Sequence, residues 1–521
     1  MRKGYFTFGI CSLIPLVFGM FMQKFEAEYE SIAPQPLAPN AATGRELALQ
    51  YCQMCHTFPE PDLLDKHTWK ESVLPNMGMR LGLHIKGNDP LSSMDAEDRK
   101  IAEALSIYPD KPLITREEWE KIVDYYLDNA PKKLPLPVPT ALEKGNFPFK
   151  MEYLTLGESG LPQVTLLKFD PETSELYIGD YRKLYAVENT EGIKGIWDMD
   201  SPASHLRFAP NESPLLLNIG SLMPSDKKMG TLGSLDLGPE KQGRSLSALQ
   251  RPVHFATGDL NMDGKGDVVV CSYGNHSGKL SWFDGFDPEK ERILSYLPGA
   301  RMTSIQDLNG DGRPDIIALM AQAYEQLVVY YNLGDGTFET KTILKFSPVH
   351  GSSYFEMADF DQDGFLDILI ANGDNRDFSA VDKPYHGLRI YLNDGADNFS
   401  EAFHYPMYEC YNAMARDFDN DGDLDIVAAS LYSQYSKNKD LKKSVVFLEN
   451  RGGLRFSASY LPEIVPGKWL SMDIGDFDQD GLLDVMLGTF VYDFGEMATI
   501  MATTGTTTLP QVLLLTQKKA P

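Results

Sequence analysis

The C-terminal part of the chain alternates between short apolar runs and polar segments. Five of the runs directly follow an aspartate, for example 268–270, 368–370 and 426–428. Short runs that are apolar at consecutive positions are typical of strands buried on both faces, because a helix needs a longer segment with a period near 3.6. The pattern therefore predicts an all-β region in which each preceding polar segment connects two strands.

The five polar segments share a nine-residue spacing, with Asp or Asn at positions 1, 3 and 5, Gly at position 6 and Asp at position 9. Oxygen ligands crowded this closely repel one another unless a cation lies between them, and glycine allows the tight turn. An EF-hand is excluded because position 12 is apolar instead of Glu. The spacing predicts about five calcium sites, with metal-free acidic turns as the alternative. The proposed ligands are Asp259, Asn261, Asp263, Asp267, Asp307, Asn309, Asp311, Asp315, Asp359, Asp361, Asp363, Asp367, Asp417, Asp419, Asp421, Asp425, Asp476, Asp478, Asp480 and Asp484.

The first aspartates of successive segments recur after 48, 52, 58 and 59 residues, close to the length of a four-stranded propeller blade. Upstream, 164–179 and 205–219 keep the strand pattern without the acidic residues, which predicts seven blades. Residues 150–521 thus resemble the FG-GAP/VCBS family of β-propellers, whose blades carry this DxDxDGxxD loop between their first two strands. The resemblance implies the fold and calcium binding but no particular activity. Strands near 151–155 and 511–515 are expected to share a blade and close the ring.

A second motif lies near the N-terminus, where Cys52 and Cys55 are separated by two residues and followed by His56. Two thiols at this spacing can form thioethers with the vinyl groups of haem, and the adjacent imidazole can bind the iron. This is the attachment pattern of c-type cytochromes. A zinc site would need a second ligand pair, and a thioredoxin-like pair would need a βαβ unit. The motif predicts one covalent haem c.

The segments around the motif predict a small all-α domain. Residues 43–51 fit a helix that presents the cysteines, and 115–118 begin a later helix with a capping box. Two helices that pack across the haem edge would resemble a class I cytochrome c. The segment 69–77 is similar to the one that carries the distal methionine in some single-haem bacterial domains, so Met77 is the proposed sixth ligand. The other candidates that stay open are Met79, His84 and Met94.

The first 22 residues predict export. Arg2 and Lys3 precede 18 uncharged residues, enough for about 27 Å of helix at about 1.5 Å per residue. The lack of a small-x-small cleavage site favours an uncleaved signal anchor over a cleaved signal peptide, and a lipoprotein would need a small residue before Cys11. We expect the protein to be bound to the membrane at the periplasmic face of the inner membrane, or periplasmic or secreted if the signal is cleaved.

The chain then divides into five parts, namely a signal anchor or signal peptide 1–22, a linker 23–40, a cytochrome c domain 41–130, a Pro-rich linker 131–149 and the propeller 150–521. The formal charge is −26, and eighteen carboxylates belong to the acidic segments. Five calcium ions would leave about −16, which argues against nucleic acid or anionic phosphate surfaces as partners. The remaining cysteines, Cys271 and Cys410, are expected to be buried thiols in separate blades.

Opposite the acidic segments, residues that enter first strands or leave second strands are expected to converge in a funnel near the axis. Candidate acid/base residues there are His254 and His386, because imidazole titrates near neutral pH, with Asp374 and Asp377 as orienting carboxylates. Ordinary turn residues are the alternative. Other polar and aromatic residues of this funnel are Tyr273, His276, His350, Tyr408, Tyr411, Trp469 and Tyr492.

Three functions fit this organisation. The first is an extracytoplasmic electron carrier whose propeller docks a redox partner protein. The second is a redox enzyme whose propeller face passes electrons from a small-molecule donor to the haem. The third is an adhesive or carbohydrate-binding propeller with an accessory haem. A quinoprotein dehydrogenase is disfavoured because the regular Trp pattern of those propellers is missing. We expect the first function.

Overall fold

The computed structural model describes residues 42–518 apart from gaps at 85–88, 93, 137–142, 145, 158–159, 190–191, 210–211, 236–244, 323, 374–380, 434–435, 437–442, 462 and 465–467. The predicted N-terminal anchor 1–22 and the predicted linker 23–40 lie outside this range. Among the described residues, no helix is both long and apolar enough to cross a bilayer.

Residues 42–130, here called the helical unit, form the all-α part of the chain. Thr43 and Thr115 each cap a helix, and the glutamate three positions later completes a capping box in both cases. Both helix starts agree with the sequence prediction. The helices are α1 Gly44–Cys52, α2 Lys66–Thr68, α3 Leu74–Arg80, α4 Ala96–Ala104 and α5 Arg116–Asn129, with a 3-10 turn at Pro61–Leu63 and a π turn at Trp69–Val73.

Helices α1 and α5 cross at Gly44. A Cβ atom at this position would lie 2.2 Å from the carbonyl oxygen of Lys121, so glycine is needed for the two backbones to meet. Beside the crossing, the rings of Trp69 and Tyr126 lie 4.4 Å apart. Their indole and phenol groups each donate a 2.8 Å hydrogen bond to a carbonyl oxygen of the segment 59–61. These contacts fix α1, and with it the cysteine motif, against the core of the helical unit.

The π turn at Trp69–Val73 has a local cause in the sequence. Pro75 has no N–H group, and in a regular α-helix its ring would clash with the carbonyl of Glu71. A wider turn relieves that clash without ending the helix. The segment that carries Met77 is therefore helical. The chain changes from the π turn to the α-helical geometry of α3 at Leu74.

The C-terminal part is a seven-bladed β-propeller, in which each blade contains an antiparallel sheet of four strands and one blade has a fifth, parallel strand. First strands contact one another from blade to blade, so they form the inner ring around the axis. The strands of blades 1 to 3 are β3 Val164–Asp170, β4 Glu175–Asp180, β5 Lys183–Glu188, β6 Gly192–Asp198, β7 Ala203–Arg207, β8 Leu215–Asn218, β9 Gly230–Ser234, β10 Ser245–Leu249, β11 Pro252–Gly258, β12 Asp267–Ser272, β13 Lys279–Phe283 and β14 Glu291–Ser295. Those of blades 4 to 7 are β15 Ala300–Gln306, β16 Asp315–Met320, β17 Gln326–Asn332, β18 Phe338–Lys345, β19 Ser352–Ala358, β20 Asp367–Asn372, β21 Gly387–Asn393, β22 Phe399–Pro406, β23 Cys410–Arg416, β24 Asp425–Ser430, β25 Val445–Asn450, β26 Phe456–Ser459, β27 Trp469–Gly475, β28 Asp484–Thr489 and β29 Val512–Gln517.

The five strands that follow the acidic loops are buried along their whole length, as the apolar runs predicted. Each is a second strand, with hydrogen-bonded neighbours on both edges and blades packed on both faces. The thiols of Cys271 and Cys410 lie in blades 3 and 6, buried and free, as expected. Outside the sheets are helix α6 Phe494–Thr504 in blade 7 and 3-10 turns at Asp284–Phe286 and Pro288–Lys290.

The two ends of the propeller region share blade 7, which confirms the predicted ring closure. Strand β2 Phe149–Leu154 pairs antiparallel with β29. The outermost strand of blade 7 therefore comes from the N-terminal end of the propeller region. Just before it, β1 Glu143–Lys144 adds a parallel fifth strand to blade 6. The predicted linker therefore joins the propeller before residue 150. This pairing gives blade 7 its fourth strand and ties the two ends of the ring together.

The helical unit packs on the face of the propeller opposite the acidic loops. This face, here called the helical face, consists of the loops between second and third strands and the loops between blades. The hydroxyl of Tyr385 donates to the carbonyl oxygen of Leu63 at 2.6 Å, and Tyr324 donates to that of Gln53 at 3.4 Å. Tyr385 and Val349 also join the apolar cluster of the helical unit. The contacts come from blades 4 and 5 and fix the cysteine motif beside this face.

A further contact lies at blade 2. The carboxylate of Asp98 accepts hydrogen bonds from the hydroxyl of Ser225 at 3.0 Å and from the N–H of Asp226 at 2.9 Å. The Nζ atom of Lys227 lies 3.8 Å from the same carboxylate. Charge-assisted bonds of this kind contribute about 1.5 to 3 kcal/mol each. Asp98 therefore contributes to docking of the helical unit.

Asp98→Ala is expected to loosen this docking and to speed tryptic cleavage at the exposed Lys132 and Lys133 at least ten-fold, since the loss of even one such bond exceeds the roughly 1.4 kcal/mol that corresponds to that factor. Cleavage is followed by gel densitometry under native conditions. Glu97→Ala is the matched control, because the Glu97 side chain is exposed on the same helix. Equal cleavage rates in the two variants would contradict the assignment of Asp98 to docking.

Candidate functional sites

The cysteine motif begins at the last residue of α1. Cys52 packs against the apolar cluster of the helical unit, whereas Cys55 is exposed, and both thiols are free. Burial raises the pKa of the Cys52 thiol to about 11. Between them, Met54 is 53% exposed. One thiol of the pair therefore lies at the core and the other at the surface.

The ring of His56 has a defined tautomer. Its Nδ1 lies 2.8 Å from the carbonyl oxygen of Thr57, and a carbonyl only accepts, so Nδ1 carries the proton of the neutral ring. Burial lowers the pKa of His56, and the positive charge of Arg80 acts in the same direction. The ring is neutral at pH 7 and has its lone pair on Nε2, the arrangement found in histidines that bind metals.

The four candidates for a sixth ligand differ in their surroundings. Met77 on α3 packs against the same apolar cluster as Cys52. Met79 is buried, Met94 is half-buried in the segment before α4, and His84 is exposed. Among these described residues, only Met77 shares a cluster with the cysteine motif. Its role as a ligand stays a prediction.

Each acidic loop closes around its first aspartate. In blade 3, the carboxylate of Asp259 accepts from the N–H groups of Asp263 and Gly264 at 3.0 and 2.8 Å. The same pair of bonds recurs in the other four loops. Gly264 has a φ of 82°, which a side chain disfavours. The glycine of the repeat is thus required by the turn itself.

The ninth-position aspartate of each loop is buried, with at most 1% exposure. In blade 5, Asp367 accepts from the N–H of Phe360 at 2.8 Å and from that of Asn393 at 2.9 Å. Equivalent bonds occur in the other four loops. Both carboxylate oxygens therefore bind backbone, and the residue ties its loop to the end of the third strand.

In three loops the side-chain oxygens also converge. One oxygen from each of three aspartates lies within 4.8 Å of the others. Burial raises the pKa of Asp425 to about 7 and that of Asp484 to about 6. Hard oxygen donors at this spacing suit calcium, although exposed acidic groups also cluster without an ion. The three groups are Asp359, Asp361 and Asp367; Asp417, Asp419 and Asp421; and Asp476, Asp478 and Asp484.

The candidate histidines of the funnel lie in different surroundings. His254 is on the inner strand β11, where its ring stacks on His205 with centroids 4.0 Å apart. Burial lowers the pKa of His254 to about 3, with Arg301 acting in the same direction. His254 is therefore neutral at pH 7, unlike the near-neutral titration that the sequence led us to expect. Its role in acid/base chemistry stays a prediction.

His386 lies in the loop between β20 and β21. It is 1% exposed, and its Nδ1 lies 4.0 Å from a carboxylate oxygen of Glu409. Its ring is 5.7 Å from that of Tyr385, which contacts the helical unit. The other two residues of the predicted constellation, Asp374 and Asp377, lie outside the described residues.

A cleft of about 450 Å³ opens on the helical face between blades 7, 1 and 2. Tyr492, predicted for the funnel, lines it together with Phe490, Arg182 and Asp200. Neither candidate histidine is among its lining residues. Of the residues predicted for the funnel, Tyr492 lines this cleft, whereas His386 lies beside Tyr385, which contacts the helical unit.

Sequence reasoning missed two arginines near the axis. Arg251 precedes β11 and Arg301 lies in β15, six to eight residues before the first aspartate of their loops. The guanidinium carbon of Arg251 lies 5.4 Å from the centre of the Tyr273 ring. The guanidinium carbon of Arg301 lies at the same distance, 5.4 Å, from the centre of the Tyr411 ring. A basic residue at the start of an inner strand was the available signal.

The repeats match a known family model. The FG-GAP-like repeat model matches residues 307–370 and 417–487. These two segments contain the acidic loops of blades 4 to 7 and all or most of the second strand that follows each loop. The matched segments cover the acidic loops that begin at Asp307, Asp359, Asp417 and Asp476.

Three solved structures are similar to parts of the chain. The N-terminal domain of Nup159 is 14% identical with a TM-score of 0.40, covering 74% of this chain and 98% of that one. The Neurospora crassa Pan2 WD40 domain is 12% identical with a TM-score of 0.42, covering 73% and 98%. Kuenenia stuttgartiensis hydrazine synthase is 14% identical with a TM-score of 0.38, covering 57% and 79%. Likenesses this distant say nothing about activity, and what the chain carries is a set of FG-GAP-like repeats in a seven-bladed β-propeller.

Proposed function

We propose that the protein is an extracytoplasmic electron-transfer protein that carries one covalent haem c on a calcium-binding propeller. The observation that carries this proposal is the motif Cys52, Cys55 and His56 on a helical unit, with the lone pair of the histidine on Nε2. The described residues of the helical unit contain no βαβ unit around the cysteine pair, as a thioredoxin-like alternative would require.

The residues of the helical unit fit a haem in three respects. Cys52 and Cys55 offer free thiols two residues apart, and His56 offers Nε2. Met77 packs against the cluster that also contacts Cys52, so it is the proposed sixth ligand. A bound haem supplies one-electron chemistry. The chain would hold that group through these four side chains, while the hydrogen bond from Nδ1 orients the imidazole.

The surroundings of the motif suit exchange of electrons with a partner. Cys55 and Thr57 are exposed, and Met54 between the cysteines is more than half exposed. The helical unit is fixed to blades 2, 4 and 5 through Asp98, Tyr324 and Tyr385. The bond from Tyr324 to the carbonyl oxygen of Gln53 lies within the motif itself, while Met54 and Cys55 beside it stay exposed. The propeller therefore acts as a rigid mount that leaves the attachment loop accessible.

Calcium is proposed for the five acidic loops. Aspartate and asparagine oxygens at positions 1, 3 and 5 are the donors that calcium prefers, and the loops already have closed turns. The ninth aspartate, such as Asp367, also uses its oxygens to bind backbone N–H groups. Calcium would neutralise carboxylates that otherwise repel one another and would thereby stiffen the face opposite the helical unit.

Met77→Ala is expected to abolish the weak long-wavelength absorption band that a thioether sulfur gives on ferric haem, because no sulfur ligand would remain. The band is read from the optical spectrum of oxidised holoprotein. Met79→Ala and Met94→Ala are the matched controls and should keep it. Loss of the band in Met94→Ala alone would show that the sixth ligand is assigned to the wrong residue.

The electron-transfer proposal itself is tested by potentiometry. Holoprotein purified from a host that matures c-type cytochromes is titrated in an optical cell, and the haem spectrum is followed against potential. We expect one reversible transition with the slope of a single electron, complete in both directions without loss of haem. A spectrum that does not respond to potential, or haem released on reduction, would contradict the proposal.

A further inference from the structure

The axis of the propeller carries two arginines that have no carboxylate partner among the described residues. The two Nη atoms of Arg251 donate to the carbonyl oxygens of Gly274 and Leu222 at 2.9 and 3.0 Å, while its Nε is buried without a partner. Arg301 donates from Nη2 to the hydroxyl of Tyr411 at 3.0 Å. That is the one hydrogen bond of its guanidinium to the described residues.

The surroundings of this arginine pair are aromatic and positively charged. Burial lowers the pKa of Arg251, and the positive charge of Arg301 lowers it further. Tyr273, Tyr411 and Tyr492 act in the opposite direction and raise this pKa. An arginine stays protonated in a protein, so two positive charges that interact electrostatically remain in this largely buried site. Such charges are unfavourable unless an anion compensates them.

Two other positively charged groups of the inner strands are paired with carboxylates. Lys168 lies 3.2 Å from Asp473, and Arg416 forms an ion pair with Glu356. The many carboxylates of the acidic loops are at the opposite face of the propeller. The axis therefore has an excess of positive charge at the arginine pair, in a chain whose formal charge is −26.

We propose that Arg251 and Arg301 form a binding site for one small anion with carboxylate or oxyanion oxygens. A guanidinium presents its N–H groups as a planar fork that matches two such oxygens. The hydroxyl of Tyr411 accepts from Arg301, so its own proton is available to donate to the same anion. The site lies on the propeller, and the inference does not depend on the proposed electron transfer.

The test is isothermal titration calorimetry of the full-length holoprotein with sodium sulfate and with sodium succinate at constant ionic strength, which gives the number of bound anions and the dissociation constant. We expect one equivalent of at least one anion to bind the wild type. Arg251→Gln and Arg301→Gln should each weaken that binding at least ten-fold. Arg182→Gln is the matched control, because Arg182 is an exposed arginine at the cleft on the helical face and its replacement removes the same charge.

Binding of sulfate alone identifies an oxyanion site, and binding of succinate alone identifies a carboxylate site. Arg301→Lys serves as a second variant that keeps the charge, in case Arg301→Gln does not fold by circular dichroism, and it should also weaken binding because a lysine has no fork. The proposal is overturned if the wild type binds neither anion, or if the axial variants bind as tightly as Arg182→Gln.

Discussion

Protein in which Cys52 and Cys55 are both replaced by alanine is expected to carry no covalent haem when it is produced in a host that matures c-type cytochromes. Both thioethers of the proposed attachment come from these two thiols, so no second point of attachment remains. The measurement is haem-dependent peroxidase staining after a denaturing gel, in which only covalently bound haem stays with the chain.

The matched control uses the other cysteine pair of the described chain. Cys271 and Cys410 are buried free thiols of the propeller, and their double alanine variant should stain like the wild type. His56→Ala should keep the thioethers but lose the low-spin spectrum, because the proximal nitrogen is removed. Staining of the Cys52 and Cys55 double variant at the wild-type level would exclude the motif as the attachment site.

Asp367→Ala is expected to destabilise the propeller both with and without calcium. Its carboxylate is fully buried and accepts from the N–H groups of Phe360 and Asn393, so alanine leaves two buried donors unsatisfied. At about 1 to 3 kcal/mol for each unsatisfied donor, the free energy of unfolding should fall by about 2 to 6 kcal/mol. Calorimetry in calcium and in chelator should show a lower temperature for the propeller transition under both conditions.

Asp361→Ala separates the role of the metal from that of the backbone bonds. Asp361 is exposed, belongs to the same acidic group and makes no backbone hydrogen bond in the described structure. This variant should bind one calcium ion fewer by elemental analysis and should match the wild type in chelator, because the ion stabilises only the folded loop by mass action. If chelator leaves the wild-type transition unchanged, the loops are turns that do not bind calcium.

The fold of the propeller was predictable because the same pattern of an acidic loop followed by an apolar run recurs five times along the sequence. The apolar runs such as 268–270 have no polar position, which predicts second strands buried on both faces, and the structure confirms them. The spacing of the acidic loops indicates one loop per blade. Blades 1 and 2 lack that loop but keep the strand pattern, so they could be counted as well.

The placement of the helical unit was not predictable from the sequence. It depends on single contacts between distant residues, such as Tyr385 with Leu63 and Asp98 with Ser225, which leave no periodic pattern. The same limit applies to the axial arginines, since neighbouring blades contribute one residue each. The low pKa of His254 arises from burial in the assembled ring, which a reference pKa does not include.

The central claim is that this chain carries one covalently attached haem through Cys52 and Cys55. Its most direct test is the intact mass of wild-type protein from a host that matures c-type cytochromes, measured after denaturation in acid and removal of free haem. We predict a mass equal to that of the polypeptide plus one haem. A mass equal to that of the polypeptide alone, with both thiols open to alkylation, would contradict the account.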